Sequence, residues 1–184
     1  MAVHSFKQTQ RIPINVSKAW DFFSRPANLP SITPPDMKFR IISKYHGEKM
    51  YAGQLIEYRV RVAPFLPSLY WMTEITQVHE GIYFIDEQRF GPYRFWHHQH
   101  HFRAISIPKE GHSETVDAAG IGTDIAGTEG VEMTDIVHYE VPFAAIGYLA
   151  DKLFVARRLR NIFDYRLKRI ETLFGTFPQP ANPS

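Results

Sequence analysis

The segment FGPYRFWHHQHHF, Phe90 to Phe102, holds four of the nine histidines in the chain. Imidazole titrates near neutral pH and is a common metal ligand, so the run raises three kinds of chemistry: metal binding, acid–base catalysis and orientation of a bound ligand. Spacing decides what each histidine can do. The run reads as a strand, and side chains alternate along a strand. Trp96, His98, His100, Phe102 and Ala104 then share one face, and Phe95, His97, Gln99, His101 and Arg103 the other. The rings of Trp96 and Phe102 flank the first histidine pair, which assigns that face to the interior. His98 and His100 project the same way, about 6–7 Å apart at the backbone, so two ligands to one ion are geometrically allowed. The third would have to be Asp135, on a neighbouring strand. His97 and His101 lie about 13 Å apart along the strand, too far to chelate one ion. No resident metal and no cofactor are expected.

The neighbouring strand is read at Val131–Val141. If Ser106 lies opposite Val131 in a regular antiparallel pair, His98 faces Tyr139, His100 faces Val137 and Phe102 faces Asp135. On the outer side His97 then faces Glu140 and Gln99 faces His138. A bulge would displace this register. The inward set places His98, His100, Asp135 and Tyr139 together in apolar surroundings. Such a group can orient a ligand, can be a satisfied structural network, or can perform chemistry with His98, His100 and Asp135 as catalytic candidates, the aspartate setting a histidine tautomer. No nucleophilic serine motif, phosphate loop or dinucleotide fingerprint occurs; GIGTDIAG lacks the glycine spacing and does not lead from a strand into a helix.

The elements that must position these residues follow from periodicity and punctuation. HSFKQTQRIPI alternates as a first strand. VSKAWDFFSRP follows as a helix, with Ser17 a candidate N-cap and Trp20 and Phe23 on one face. ANLPSITPPD reads as a second short helix ended by prolines. Six further strands are expected at Lys38–Lys44, Gly53–Val62, Tyr70–Val78, Ile82–Arg89, Tyr93–Ile107 and Val131–Val141. Short turns between them predict an antiparallel meander. Pro108 to Gly130, with five glycines and no period, reads as one long loop. Ile146, Leu149, Leu153, Leu159, Phe163, Leu167, Ile170 and Phe174 recur mainly every three or four residues and predict one long amphipathic helix, preceded by Pro142 and ended at Gly175. The Pro-rich residues 178–184 are expected to form a flexible tail behind a single domain at 1–177.

Composition narrows the function classes. The chain has 184 residues, 44% hydrophobic and 14% aromatic, enough for one well-filled core. A net charge of +2 argues against nucleic acid as the main partner. The absence of cysteine excludes disulfides, thiol catalysis and thiolate-ligated metals, and fits a reducing cytoplasm. No apolar run reaches membrane-spanning length, so no stable membrane insertion is expected.

The element order, with GPYRFWHHQHHF, MTDIVHYEVPF and IFDYR, resembles the START-like or SRPBCC superfamily, whose type fold is the helix-grip fold of the birch pollen allergen. Within it the motifs resemble the branch of polyketide cyclase/dehydrase and "cell division inhibitor"-like bacterial proteins. The matching positions are Trp96, His97, His98, His100 and Phe102; Thr134, Asp135, Val137, Tyr139, Pro142 and Phe143; and Phe163, Tyr165 and Arg166. The long loop after the sixth strand departs from that pattern and stands where a lid over the cavity mouth would be.

The resemblance implies an α+β fold in which a curved seven-stranded antiparallel sheet wraps a long C-terminal helix, with two short helices after the first strand. It implies an apolar cavity for a lipid, polyketide or aromatic ligand. Trp71, Trp96, His98, His100, Phe102, Asp135, Val137, Tyr139, Leu149, Leu153 and Phe163 are the expected ligand-binding residues. Tyr58, Met72, Phe84, Trp20 and Ala156 are further wall candidates, and Arg94 and Arg166 candidate carboxylate holders. Phe65 and Leu66 in a connector offer a homodimer contact, a membrane-docking tip or burial under the sheet edge. Ligand binding is the leading reading. A cyclase or dehydratase using the inward histidines is the alternative, and a regulatory or stress-response protein acting through a protein partner is the third.

Overall fold

The computed structural model describes residues 3–44, 47–62, 67–107, 128–142 and 154–177. Strand β1 (His4–Ile12) alternates exposed and half-buried side chains and ends on the buried Ile12. Helix α1 (Val16–Phe23) follows. Its cap is Asn15, not Ser17: the Asn15 side chain accepts from the Lys18 N–H at 2.9 Å. Val16 is already helical, so the capping position falls one residue earlier and Ser17 lies inside the first turn. The expected second helix is two 3₁₀ segments, Pro26–Ile32 and Pro35–Met37. Prolines at 26, 30, 34 and 35 remove the N–H donors that a longer α-helix needs.

The strands β2 (Arg40–Ile41), β3 (Leu55–Val60), β4 (Leu69–His79), β5 (Tyr83–Phe90), β6 (Phe95–Ile107) and β7 (Thr128–Glu140) complete the sheet. Its order is β1-β7-β6-β5-β4-β3-β2, antiparallel throughout. The first and last strands of the chain thus pair, and the rest is the expected meander. β2 is shorter than expected, and β7 begins at Thr128, so the last three residues of the expected loop belong to a strand. The remainder of that loop, the tail at 178–184, Phe65 and Leu66 lie outside the described residues. Two register shifts between β4 and β5, at Met72/Thr73 and Ile75/Gln77, mark bulges that bend the sheet.

Helix α2 (Ala156–Phe174) lies in the hollow of the sheet. It buries Leu159, Phe163, Arg166 and Ile170, a stripe at spacings of four, three and four. The earlier part of the expected helix, with Leu149 and Leu153, is outside the described residues. Gly175 ends α2 with φ 86° and ψ −175°, a conformation almost reserved for glycine. A Cβ there would meet only Pro13 Cγ at 3.8 Å, so the constraint is the backbone and not space. Gly175→Ala should therefore cost about 1–3 kcal/mol in chemical denaturation; an unchanged midpoint would mean that the helix end re-forms in another conformation.

The core has two parts. Trp20, Phe23, Phe84, Phe102 and Met133 cluster where α1 closes one end of the sheet. Trp96, Val137, Tyr139, Leu159 and Phe163 cluster beneath the first turns of α2. Among the described residues no helix is long and apolar enough to cross a membrane.

Candidate functional site

A cavity of about 190 Å³ lies between the hollow of the sheet and α2. At roughly 10–15 Å³ per water it has room for about 13–19 waters, or for an organic molecule of that bulk. Tyr58, Trp71, Phe84 and Trp96 supply ring surfaces from the strands, and Leu159 and Phe163 close it from the helix. Asp86, His98, His100 and Arg166 bring polar groups to the same wall.

β6 alternates as its sequence predicts. Trp96, His98, His100 and Phe102 are buried, while His97, Gln99 and His101 are half-buried on the outer face. The register with β7 differs from the expectation by two residues: Ala104, not Ser106, lies opposite Val131. An even displacement keeps every side chain on its face but changes its partner. His100 faces Asp135, His98 faces Val137, Trp96 faces Tyr139 and Phe102 faces Met133. On the outer side His97 faces His138, Gln99 faces Ile136 and Phe95 faces Glu140. The reason is that β7 starts three residues earlier than its expected Val131, inside the glycine-rich segment. His97 accordingly bonds Glu87 at 2.8 Å, while Glu140 pairs with Arg94 at 3.7 Å. Arg94 is a surface ion-pair residue and not a carboxylate holder in the cavity.

The polar group that results is tighter than the expected one and has a different membership. The Nε2–H of His98 donates to Asp135 Oδ1 at 3.0 Å, and the Nε2–H of His100 donates to Asp86 Oδ2 at 2.9 Å. His98 Nδ1 stands 3.5 Å from Asp86 Oδ2. His100 Nδ1 stands 2.9 Å from Asp135 Oδ1 at an angle that makes it a charge contact and not a directed hydrogen bond. The two imidazoles are 3.8 Å apart, and His100 stacks on Phe84 at 4.0 Å. The indole of Trp96 lies near enough to Asp86 to help hold its carboxyl down. Arg166 Nη1 approaches Asp135 Oδ1 at 3.7 Å.

Burial and pairing compete at each of these groups. Burial pushes the Asp135 carboxyl up, but the Arg166 guanidinium and both histidines outweigh it and hold the group well below the usual carboxylate range. Burial likewise opposes ionisation of Asp86, and the bond from His100 and the field of His98 bring it below its ordinary value. Burial, then repulsion from His100, lowers His98. Burial also lowers His100, but Asp135 and Asp86 together more than reverse it, and its affinity for a proton is raised. Two adjacent imidazoles are thereby driven in opposite directions.

Of the expected ligand-binding residues, the structure places Trp71, Trp96, His98, His100 and Phe163 on the cavity wall, with Tyr58 and Phe84 beside them. Asp135 sits behind the histidines and holds them. Val137 and Tyr139 belong to the packing under α2, with Tyr139 opposite Trp96 and not in the polar group. Phe102 and Trp20 pack against each other at the α1 end, with ring centroids 5.5 Å apart. Met72 pairs with Glu57 on the outer face, because it alternates with Trp71. Ala156 is on α2 but not in the wall. The residue that the sequence reading missed is Asp86. It is two positions from Phe84 on the same strand face, and that parity was the available signal. Arg166, a candidate from the sequence, is buried by its place inside the apolar stripe of α2, between Phe163 and Ile170.

No family model matches the chain, and no curated protein matches it by sequence. Solved structures do match in shape. A START superfamily protein from Mycobacterium smegmatis is 14% identical, with a TM-score of 0.59, covering 92% of this chain and 99% of that one. The major latex-like protein 151 of Panax ginseng is 12% identical, with a TM-score of 0.58, over 96% of this chain and 99% of that one. Norcoclaurine synthase from Thalictrum flavum, in complex with dopamine and hydroxybenzaldehyde, is 12% identical, with a TM-score of 0.55, over 93% of this chain and 88% of that one. The chain has the START-like helix-grip fold.

Proposed function

We propose that the protein binds a small hydrophobic or aromatic molecule in the cavity between the sheet and α2, with a polar end directed to His98, His100 and Arg166. The observation that carries this reading is the make-up of the wall. Aromatic and aliphatic surface makes up most of the wall, and Asp86, His98, His100 and Arg166 form one polar cluster within it. Among the described residues, the indole N–H of Trp71 and Nε of Arg166, both buried on the cavity wall, have no hydrogen-bond partner. A buried donor left unpaired costs about 1–3 kcal/mol, so an acceptor on the ligand gains what water would otherwise supply. START-like folds commonly bind hydrophobic ligands, which agrees with this reading. With its cysteine-free sequence, the chain is taken to act in the cytoplasm.

Native mass spectrometry of protein purified from its own host tests the reading. A discrete small molecule should co-purify and be released on denaturation. Ile56, which lines the space and is 2% exposed, offers a control: Ile56→Trp projects a ring into the void and should weaken capture of that molecule by about tenfold or more. An empty protein with no thermal shift across a panel of lipids and aromatic compounds would end the proposal.

One observation favours turnover as a second reading. His98 and His100 stand 3.8 Å apart on the cavity wall, each bonded to a carboxylate, and their surroundings push their proton affinities in opposite directions, the pattern of an acid and base pair. They could exchange a proton with a ketone or hydroxyl of the bound molecule, as a cyclase or dehydratase requires. A co-purified compound returned chemically altered after incubation would establish turnover, and one returned unchanged would favour carriage.

A further inference from the structure

We propose that Asp86, His98 and His100 hold a divalent transition-metal ion in the wall of the cavity. The two histidines and Asp86 each present one ligand atom, and the three atoms lie within 4.8 Å of one another. Two of the distances are 2.9 Å, from Asp86 to His100 Nε2, and 3.5 Å, from Asp86 to His98 Nδ1. Bonds of about 2.0–2.2 Å to imidazole nitrogen and carboxylate oxygen set neighbouring ligand atoms about 3–3.5 Å apart, which the two Asp86 distances already match, while the third pair lies within 4.8 Å.

Proton counting gives the second argument. Four ring nitrogens face two carboxylates, each within 3.5 Å. Carboxylates only accept, and two neutral imidazoles carry two N–H groups between them. Two nitrogens therefore turn lone pairs toward carboxylate oxygens, a repulsive arrangement in a buried site. Protonating His100 alone still leaves the lone pair of His98 Nδ1 turned to Asp86 at 3.5 Å, and protonating both rings would place two cations 3.8 Å apart. An ion between Asp86 and the two rings removes the repulsion. His98 Nδ1 and His100 Nε2 become ligands, and both N–H groups turn to Asp135. A carboxylate behind the metal-bound imidazoles is the arrangement that fixes their tautomers and raises their basicity.

Charge points to the same side of the cluster. Arg166 accompanies Asp135 at 3.7 Å. Among the described residues the ion partners of Asp86 are the two histidine rings, so Asp86 has no permanent cation. A set of two nitrogens and one carboxylate suits zinc, iron(II) or cobalt and not magnesium or calcium, which take oxygen ligands. All three residues line the cavity, which leaves the remaining coordination positions for water or a ligand oxygen. The outer histidines are engaged elsewhere, His97 with Glu87 and His101 with Gln99.

The full-length protein is dialysed against zinc, cobalt or anaerobic iron(II), with no organic ligand present, and metal content is measured by mass spectrometry. This separates the metal site from the question of what fills the cavity. One ion per chain is expected. It should be retained by His97→Gln and lost from Asp86→Asn and from His98→Gln. In the cobalt-loaded wild type, proton NMR should show two paramagnetically shifted exchangeable ring N–H signals, from His98 and His100, a readout that needs no variant to fold. Substoichiometric uptake of all three metals by folded protein would overturn the proposal. So would uptake that survives in a folded Asp86→Asn/His98→Gln double variant, or a cobalt spectrum without those two signals.

Discussion

Asp135→Ala is expected to lower the unfolding free energy by about 3–5 kcal/mol, the range for removing one partner of a buried ion pair. Asp135 receives the Nε2–H of His98, touches Nδ1 of His100 and lies beside Arg166. Its side chain is 10% exposed, and so is that of Arg166. Alanine would leave the guanidinium and two imidazoles facing an empty, poorly hydrated space. Urea denaturation gives the number directly. A double variant with Arg166→Met should lose less than the sum of the two single losses, because the stranded charge is removed along with its partner.

The pH dependence of that loss has a definite sign. The carboxyl of Asp135 is held well below its ordinary range in the folded protein. A depressed acid contributes stability above its unfolded value, about 3.9, and loses it as pH falls from there through the folded value. The gap between wild type and Asp135→Ala, measured without added metal, should therefore be widest near neutral pH and should shrink below about pH 4. A gap that stays constant into acid would show that the carboxylate charge is not what stabilises the cluster.

Trp20→Ala is expected to cost about 3–5 kcal/mol as well, through a different cause. Trp20 is 4% exposed and meets Phe84 and Phe102 edge-on, at 6.0 and 5.5 Å. It attaches α1 to the face of β5 and β6. Its loss removes that packing and leaves a void between α1 and the sheet. Trp20 does not line the ligand cavity, so a correctly folded Trp20→Phe variant should be less destabilised and should bind the cavity ligand as the wild type does. Equal loss of stability and binding in Trp20→Phe would mean that the α1 end and the cavity are one mechanical unit.

Much of the fold was legible because its signals are local. Most strands of the meander announce themselves by alternation and by the short turns between them. The stripe from Leu159 to Ile170 identifies α2, and Gly175 marks its end. The faces of β6 were readable for the same reason: alternation holds whatever the partner strand is, so the burial of Trp96, His98 and His100 did not depend on the register. The cap of α1 was less legible, because Asn15 and Ser17 are both competent caps and the first helical dihedral decides between them.

The membership of the polar group was beyond the sequence. Placing Asp135 beside His100 requires the point at which β7 begins, and that point falls in a glycine-rich segment with no period. Asp86 enters only because β5 pairs with β6 and sets it opposite His98. Arg166 joins only because α2 crosses the hollow at the angle that points its buried stripe at β7. By itself, then, the amino-acid sequence determined the order of elements, the inward pair of histidines and an aromatic interior, since these follow from periodicities of two and 3.6 residues within continuous stretches. Only the tertiary structure decided that two aspartates, two histidines and an arginine meet on one wall of a cavity. That meeting is a sum over strand registers and one helix crossing, and each of these is fixed by the packing of the whole domain.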